Sequence, residues 1–414
     1  MKIINARLRH HQELFTLHCS NGIFTQIEKQ PHPLKEPSDI DANEQLLCAP
    51  FVEPHIHLDA IFTASEPRWN HSGTLFEGIE CWADRKGMLS TEDVQSRVLK
   101  AAELLINNGI QYIRAHVDVT DQTLTALKAI TALKKKLSPY LDIQIVAFPQ
   151  EGIFSFPEGK KLMIEALEHE ADVIGAIPHY EFTREYGVES VKWVMELAKQ
   201  HNKLVDVHCD EIDDENSHFL EVLATTALET GMKEKVTASH TVAMHSYNNA
   251  YCSKLFRLLK MSGIQFVSCP TENTHLQGRF DCFPKRRGIT RIKELRESGI
   301  NVALAQDSIQ DPWYSLGNGK LLRQVDFALH TCHMMGYDDF TNALDFITEN
   351  GARVMNISEE YGIGIGKPAN FIILQGTDDI SVIREQADIL WSVRKGNILV
   401  EKQPAKFLKT VSFS

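Results

Sequence analysis

Four short apolar runs in this sequence end in side chains that bind metals. Phe51-Val52-Glu53-Pro54-His55-Ile56-His57 closes on a His-x-His pair, and Val207-His208-Cys209-Asp210-Glu211, Ala238-Ser239-His240 and Ala305-Gln306-Asp307 close three later runs. The i, i+2 spacing of His55 and His57 puts both imidazoles on one face of an extended segment. Neutral imidazoles with one hard carboxylate suit Zn2+ or Fe2+ and leave a coordination position for water. A divalent metal lowers the pKa of a bound water from about 16 towards 7, making hydroxide at neutral pH. Taken singly, His208 or His240 reads as a satisfied core histidine and Asp307 as a helix cap. Converging from four strand ends, they read as one metal site.

The elements that must position them alternate regularly. Apolar runs at 47–51, 110–116, 143–148, 173–177, 204–208, 236–240, 265–268 and 301–306 read as eight strands. Amphipathic stretches at 92–107, 123–137, 188–201 and 291–297 lie between them. Short continuous apolar runs alternating with helices predict a parallel sheet. Eight such units predict an α/β fold, a (β/α)8 TIM barrel whose site lies at the C-terminal ends of its strands. A doubly wound open sheet is the rival, but no Gly-rich phosphate loop follows the first strand. Both ends of the chain read instead as alternating β-runs, at 2–8, 13–18, 22–28, 370–375, 389–394 and 397–401. They predict a small β-sandwich domain from residues 1–47 plus 360–414, around a barrel at 48–359.

Composition narrows the partners. With 43 basic and 55 acidic residues the chain carries a formal charge of −12, which speaks against nucleic acid and anionic membrane as partners. No run of eighteen apolar residues predicts a membrane span, and the N-terminus has no apolar signal core. The eight cysteines form no C-x-x-C pair, so neither a zinc ribbon nor a disulfide framework is expected, and a reducing cytoplasm is the simplest compartment. The absence of C-x-x-C also removes the motif of polynucleotide deaminases. The basic run from Lys285 to Arg296 reads as a solvated helix face.

The order His-x-His, His, His, Asp resembles the amidohydrolase superfamily. Segments 54–59, 69–78, 147–152, 179–189, 208–214, 240–247, 273–278 and 311–317 look like bacterial cytosine deaminases, over nearly the whole chain. The resemblance implies that His55, His57, His208 and Asp307 bind one divalent metal per subunit, Fe2+ or Zn2+. It implies proton transfer by Glu211, orientation of the attacking water by His240, and a grip on the pyrimidine amide edge by Gln150. Glu211, Asp307 and His240 can handle the protons while hydroxide attacks C4. The fourth strand offers no lysine to bridge a second metal. Trp313 is expected to line the pocket, while His116 and His179 divide evenly between packing and function. A small-molecule substrate, a free pyrimidine base, and a homo-oligomer such as a hexamer complete what the resemblance implies.

Two positions depart from that pattern: Gln306 stands where histidine is expected and Ser308 where a second aspartate is expected. Serine removes charge and volume beside the substrate's amino group and C5. A buried methyl contributes roughly 0.8 kcal/mol, whereas crowding one costs about 1–3 kcal/mol. The expectation is hydrolysis of 5-methylcytosine to thymine and ammonia, alongside or in preference to cytosine. Isoguanine or creatinine deamination, cyclic amide hydrolysis and a metal-stabilised ligand-binding protein without turnover are the alternatives.

Overall fold

A computed structural model describes residues 1–405. Its strands are β1 (Lys2–Leu8), β2 (Leu14–Ser20), β3 (Ile23–Gln30), β4 (Ile40–Asp41), β5 (Leu46–Cys48), β6 (Phe51–Ile56), β7 (Ile110–Asp118) and β8 (Asp142–Phe148). They continue as β9 (Val173–Ala176), β10 (Leu204–Cys209), β11 (Val236–His240), β12 (Gln265–Ser268), β13 (Val302–Leu304), β14 (Phe371–Leu374), β15 (Ile389–Arg394) and β16 (Asn397–Glu401). One compact unit comprises Met1–Pro50, Ile106–Gly109 and the chain from Glu360 on; the other comprises Phe51–Leu105 and Ile110–Glu359.

In the terminal unit, strands from both ends of the chain join one eight-stranded sheet in the order β16-β15-β14-β5-β1-β2-β3, with β4 beside β1. Alternation of side chains puts Ile3, Leu17, Phe24, Leu47, Phe371 and Val393 into one core cluster, as a period of two requires.

In the other unit β6 to β13 form a parallel sheet in sequence order, as crossover connections through helices demand. β7 is buried along its whole length, which is why it reads as an unbroken apolar run. The helices Thr91–Asn107, Thr125–Leu137 and Arg184–His201 each bury one stripe. The sheet all but closes, and its seam lies at the metal-ligand candidates. Ile56 forms a parallel bridge with Asp307. The Asp307 amide donates to the His55 carbonyl at 3.0 Å, and the His57 amide donates to the Asp307 carbonyl at 3.2 Å. Glu53 fastens the same seam by accepting from the Gln306 amide at 3.0 and 3.2 Å.

Two expectations need correction. The run at 47–51 is not one strand: Leu46–Cys48 pairs with β1 and β14, and the barrel strand begins at Phe51. An apolar run crossing a boundary between two sheets carries no periodicity break to mark it. The basic run is not a solvated helix face, because the helix there spans only Ile292–Glu297. Arg286 instead holds Asp281, the Asp213 carbonyl and Ser246, and Arg291 holds the carbonyls of Met244 and Tyr247.

Candidate active site

The backbone turns sharply where the strands deliver their side chains. His240 and Asp307 both have φ of 68°, and Asp210 has φ of 52°. Non-glycine residues in this region are uncommon, though Asp and His tolerate it better than most. Such strain collects at functional sites.

Those turns bring the candidate ligands together. His57 Nε2 lies 3.2 Å from His208 Nε2. Asp307 Oδ1 lies 3.5 Å from His57 Nε2 and 3.6 Å from His55 Nε2. All four side chains are buried. His55 Nε2 is buried without a hydrogen-bond partner, an arrangement that asks for a ligand. Packing fixes the rings: Phe148 stacks on His208 at 4.0 Å and His116 on His55 at 3.8 Å.

The tautomer of His55 follows from its neighbours. Ser239 Oγ donates to Asp206 Oδ1 at 2.6 Å, and a hydroxyl has only one proton to give. The same oxygen, 3.0 Å from His55 Nδ1, must therefore accept from that nitrogen. His55 Nε2 is left with its lone pair facing Asp307. Asp206 is held from the other side by Arg114 Nη1 at 2.9 Å, with neither side chain exposed. Carboxylate-linked histidines of this kind are the usual support of a metal ligand.

Electrostatics agree with that role. Burial, helped by the neighbouring histidines, holds His55 and His208 well below the ordinary imidazole range. Burial lowers His57 to about 4 and His240 to about 3. These imidazoles stay neutral and able to ligate at pH 7. Burial pushes Asp307 and Glu211 the other way, well above the carboxylate range. Carboxyls crowded together in a dry site suit a divalent cation, whose charge would hold Asp307 ionised. The donor set thus fits a divalent metal.

Beside this cluster lies a pocket of about 410 Å³, part of it open to solvent. The structure places Gln150, Ser308 and Trp313 in its wall, with Glu211, His179, Tyr180 and Glu272. Leu75, Ile79 and Leu276 supply apolar surface. His240 Nδ1 stands 3.4 Å from Glu211 Oε1 and 3.8 Å from Asp307 Oδ2. Asn273 Nδ2 donates to Glu211 Oε1 at 3.3 Å and lies 3.1 Å from His240 Nδ1. His116 is absent from the pocket wall and packs between His55 and Asp206.

Sequence reasoning missed Glu272, Asn273 and the Arg114–Asp206–Ser239 relay. Glu272 and Asn273 lie in the short helix Pro270–Leu276 that follows β12, and polar residues in the connection after a barrel strand belong to its catalytic face. Relay residues within strands carry no such mark. Serine at 308 still has a carboxyl within reach. Ser308 Oγ donates to Glu272 Oε1 at 3.0 Å, so a carboxyl stays, supplied from another strand end.

The profile of the amidohydrolase family matches residues 39–400. The chain belongs to the amidohydrolase family. As an amidohydrolase it is a hydrolase of C–N bonds. It is 30% identical to N-isopropylammelide isopropyl amidohydrolase of Pseudomonas sp. (strain ADP), over 88% of each chain. It is similar to the crystal structure of 5-methylcytosine deaminase from Klebsiella pneumoniae liganded with 5-fluorocytosine, with 55% identity, 99% of each chain covered and a TM-score of 0.98. The same enzyme liganded with phosphonocytosine gives a TM-score of 0.97 at 55% identity, covering 99% of this chain and 100% of that one. Among the described residues no helix is long and apolar enough to cross a membrane.

Proposed function

We propose that this amidohydrolase is a metal-dependent deaminase of free aminopyrimidine bases, converting 5-methylcytosine to thymine and cytosine to uracil with release of ammonia. The observation that carries the reading is the convergence of Gln150, Glu211 and the histidine–Asp307 cluster on one small pocket. The 55% identity to a 5-methylcytosine deaminase over 99% of the chain supports the choice of base. His55, His57, His208 and Asp307 would hold one Fe2+ or Zn2+, which when bound makes water nucleophilic at neutral pH.

The chain's own residues do the rest. Asp307 Oδ2 and His240 Nδ1 face one another and can accept the proton of the attacking water. Glu211, buried and inclined to hold a proton, can give it to the ring nitrogen next to the attacked carbon. The first proton of the water, relayed by His240 3.4 Å away, reloads it for the departing amine, and the hydroxyl proton lost as the new carbonyl forms restores it. Gln150 offers both a donor and an acceptor to the amide edge of the base. Trp313, Ile79 and Leu75 present flat or apolar surface to the ring and exclude water. Ser308 leaves room at C5 for a methyl group. Residues 48–359 form the catalytic barrel domain in this reading, with 1–47 and 360–414 as its β-sandwich companion.

The test is ammonia release from 5-methylcytosine and cytosine by the metal-loaded protein. Turnover of 5-methylcytosine at least comparable to cytosine is expected. A preference for cytosine of about tenfold, roughly 1.4 kcal/mol in the barrier, would overturn the choice of base. Silence on both would overturn the reaction.

A further inference from the structure

The pocket holds one carboxyl for which the reaction as described has no use. Glu272 is only 2% exposed and lies in the wall with Gln150, Glu211 and Asp307. Its Oε1 takes the Ser308 hydroxyl proton at 3.0 Å, while Oε2 is buried with no partner. A buried polar atom without a partner is rare and unfavourable unless a ligand satisfies it. The backbone that carries it is anchored as well. Thr271, the residue before it, is anchored by Gln324: the Thr271 amide and hydroxyl lie 3.3 and 3.2 Å from Gln324 Oε1.

The chemistry of the missing partner follows from the atom. Burial, with Asp307 and Asp311 beside it, pushes the Glu272 carboxyl well above the ordinary range, so a ligand that brings an N–H or O–H to Oε2 is what would hold it as the acceptor-only carboxylate. Position narrows it further. Ser308, which holds Glu272, is the residue after Asp307, so Glu272 flanks the reacting carbon rather than the ring edge assigned to Gln150. On an aminopyrimidine the donor left at that place is the exocyclic amino group.

We propose that Glu272, positioned by Ser308, is a substrate-binding residue that accepts a hydrogen bond from the substrate's amino group and so selects amino-bearing bases over their oxo products. This rests on the deaminase reading and extends it. It gives the pocket a means of releasing its product. The oxo group that replaces the amine has no proton to offer, and two acceptors then face each other. It also makes Ser308 a positioning residue as well as a source of space at C5.

Glu272→Gln keeps the shape and adds an N–H donor where only an acceptor stood. The measurements are kcat/KM for 5-methylcytosine and the inhibition constant for thymine, with metal content and melting temperature recorded for each protein. Glu272→Gln is expected to lower kcat/KM while thymine binds equally or more tightly, so that discrimination between the two bases falls by about tenfold, the range for a hydrogen bond to a charged group. A fall in discrimination much below that, including equal losses for both bases, overturns the assignment. Should Glu272→Gln fail to fold with its metal, Ser308→Ala carries the same comparison. Loss of discrimination against thymine then supports the positioning role, and unchanged discrimination refutes it. A wild-type protein that releases no ammonia from 5-methylcytosine overturns the deaminase reading itself. An active wild type with an indifferent Glu272→Gln overturns only the role of Glu272.

Discussion

Replacing Ser239 by alanine deletes one buried oxygen that touches neither pocket nor substrate. Its hydroxyl joins Asp206 Oδ1 at 2.6 Å to His55 Nδ1 at 3.0 Å. Without it, His55 loses the acceptor that fixes its tautomer, and Asp206 loses one of its two strong partners. A hydrogen bond to a charged group contributes about 1.5–3 kcal/mol, and loss of an outer support of a metal ligand weakens metal binding about 10–100-fold. The two ranges agree, since about 1.4 kcal/mol is tenfold. The assay loads metal-free wild type and Ser239→Ala with Zn2+ against a chelator of known affinity and reads the metal retained. The variant should bind metal about 10–100-fold more weakly, and excess metal should restore much of its kcat/KM. Metal affinity within about threefold of wild type would refute the tautomer argument. So would an activity loss that added metal does not reverse, since a misplaced ligand is compensated by metal and a damaged catalytic residue is not.

Further expectations follow from single contacts. Chelation of the metal should abolish ammonia release, and a divalent ion should restore it; activity that survives complete metal removal, checked by elemental analysis, contradicts the site. Ser308→Asp fills the space at C5 and sets a second carboxyl beside Glu272, so selectivity should move towards cytosine by about tenfold, or 1.4 kcal/mol. An unchanged ratio of kcat/KM values denies Ser308 its role. A methyl on Gly78 would lie 2.5 Å from Trp313 Cδ1, so Gly78→Ala must displace a pocket wall. It should lose about 1–3 kcal/mol of stability together with kcat/KM, and a fully active variant with an unaltered melting temperature would contradict the contact. Hydrogen bonds from Ser72, side chain then backbone, and from His71 hold the Glu77 carboxyl down at about 2. Its stabilisation is complete above the ordinary value of 4.5 and is lost as pH falls through about 2. A Glu77 titration midpoint near 4.5, followed by NMR, would show that these bonds do not form in solution.

The barrel was legible because its strands are buried on both faces and its helices on one, so the two hydrophobic periods alternate along the chain. His55, His57, His208, His240 and Asp307 were legible for a related reason: each sits where an apolar run stops. Glu272 and Asn273 lie past the end of β12, inside the helix Pro270–Leu276, where a Glu-Asn pair in a polar stretch looks like any helix start. Arg114, Asp206 and Ser239 lie inside strands β7, β10 and β11, and only the curled sheet brings the first beside the other two. The pairing of Ser308 with Glu272 was equally hidden, because the compensating carboxyl comes from a neighbouring strand end 36 residues earlier. What the chain hides is thus mainly polar contact made across strands.

The seam between β6 and β13 ties the order of synthesis to completion of the proposed ligand set. Glu53 and Gln306, which fasten it, are 253 residues apart, and the histidine pair and the aspartate flank them on either side. During translation the histidines leave the ribosome early, and the aspartate joins them only after seven further strands have been made. A chain that ends before Asp307 carries the three histidines of the proposed ligand set but lacks its carboxylate. The last ligand of the proposed set and the last edge of the barrel are thus delivered by the same short stretch of chain.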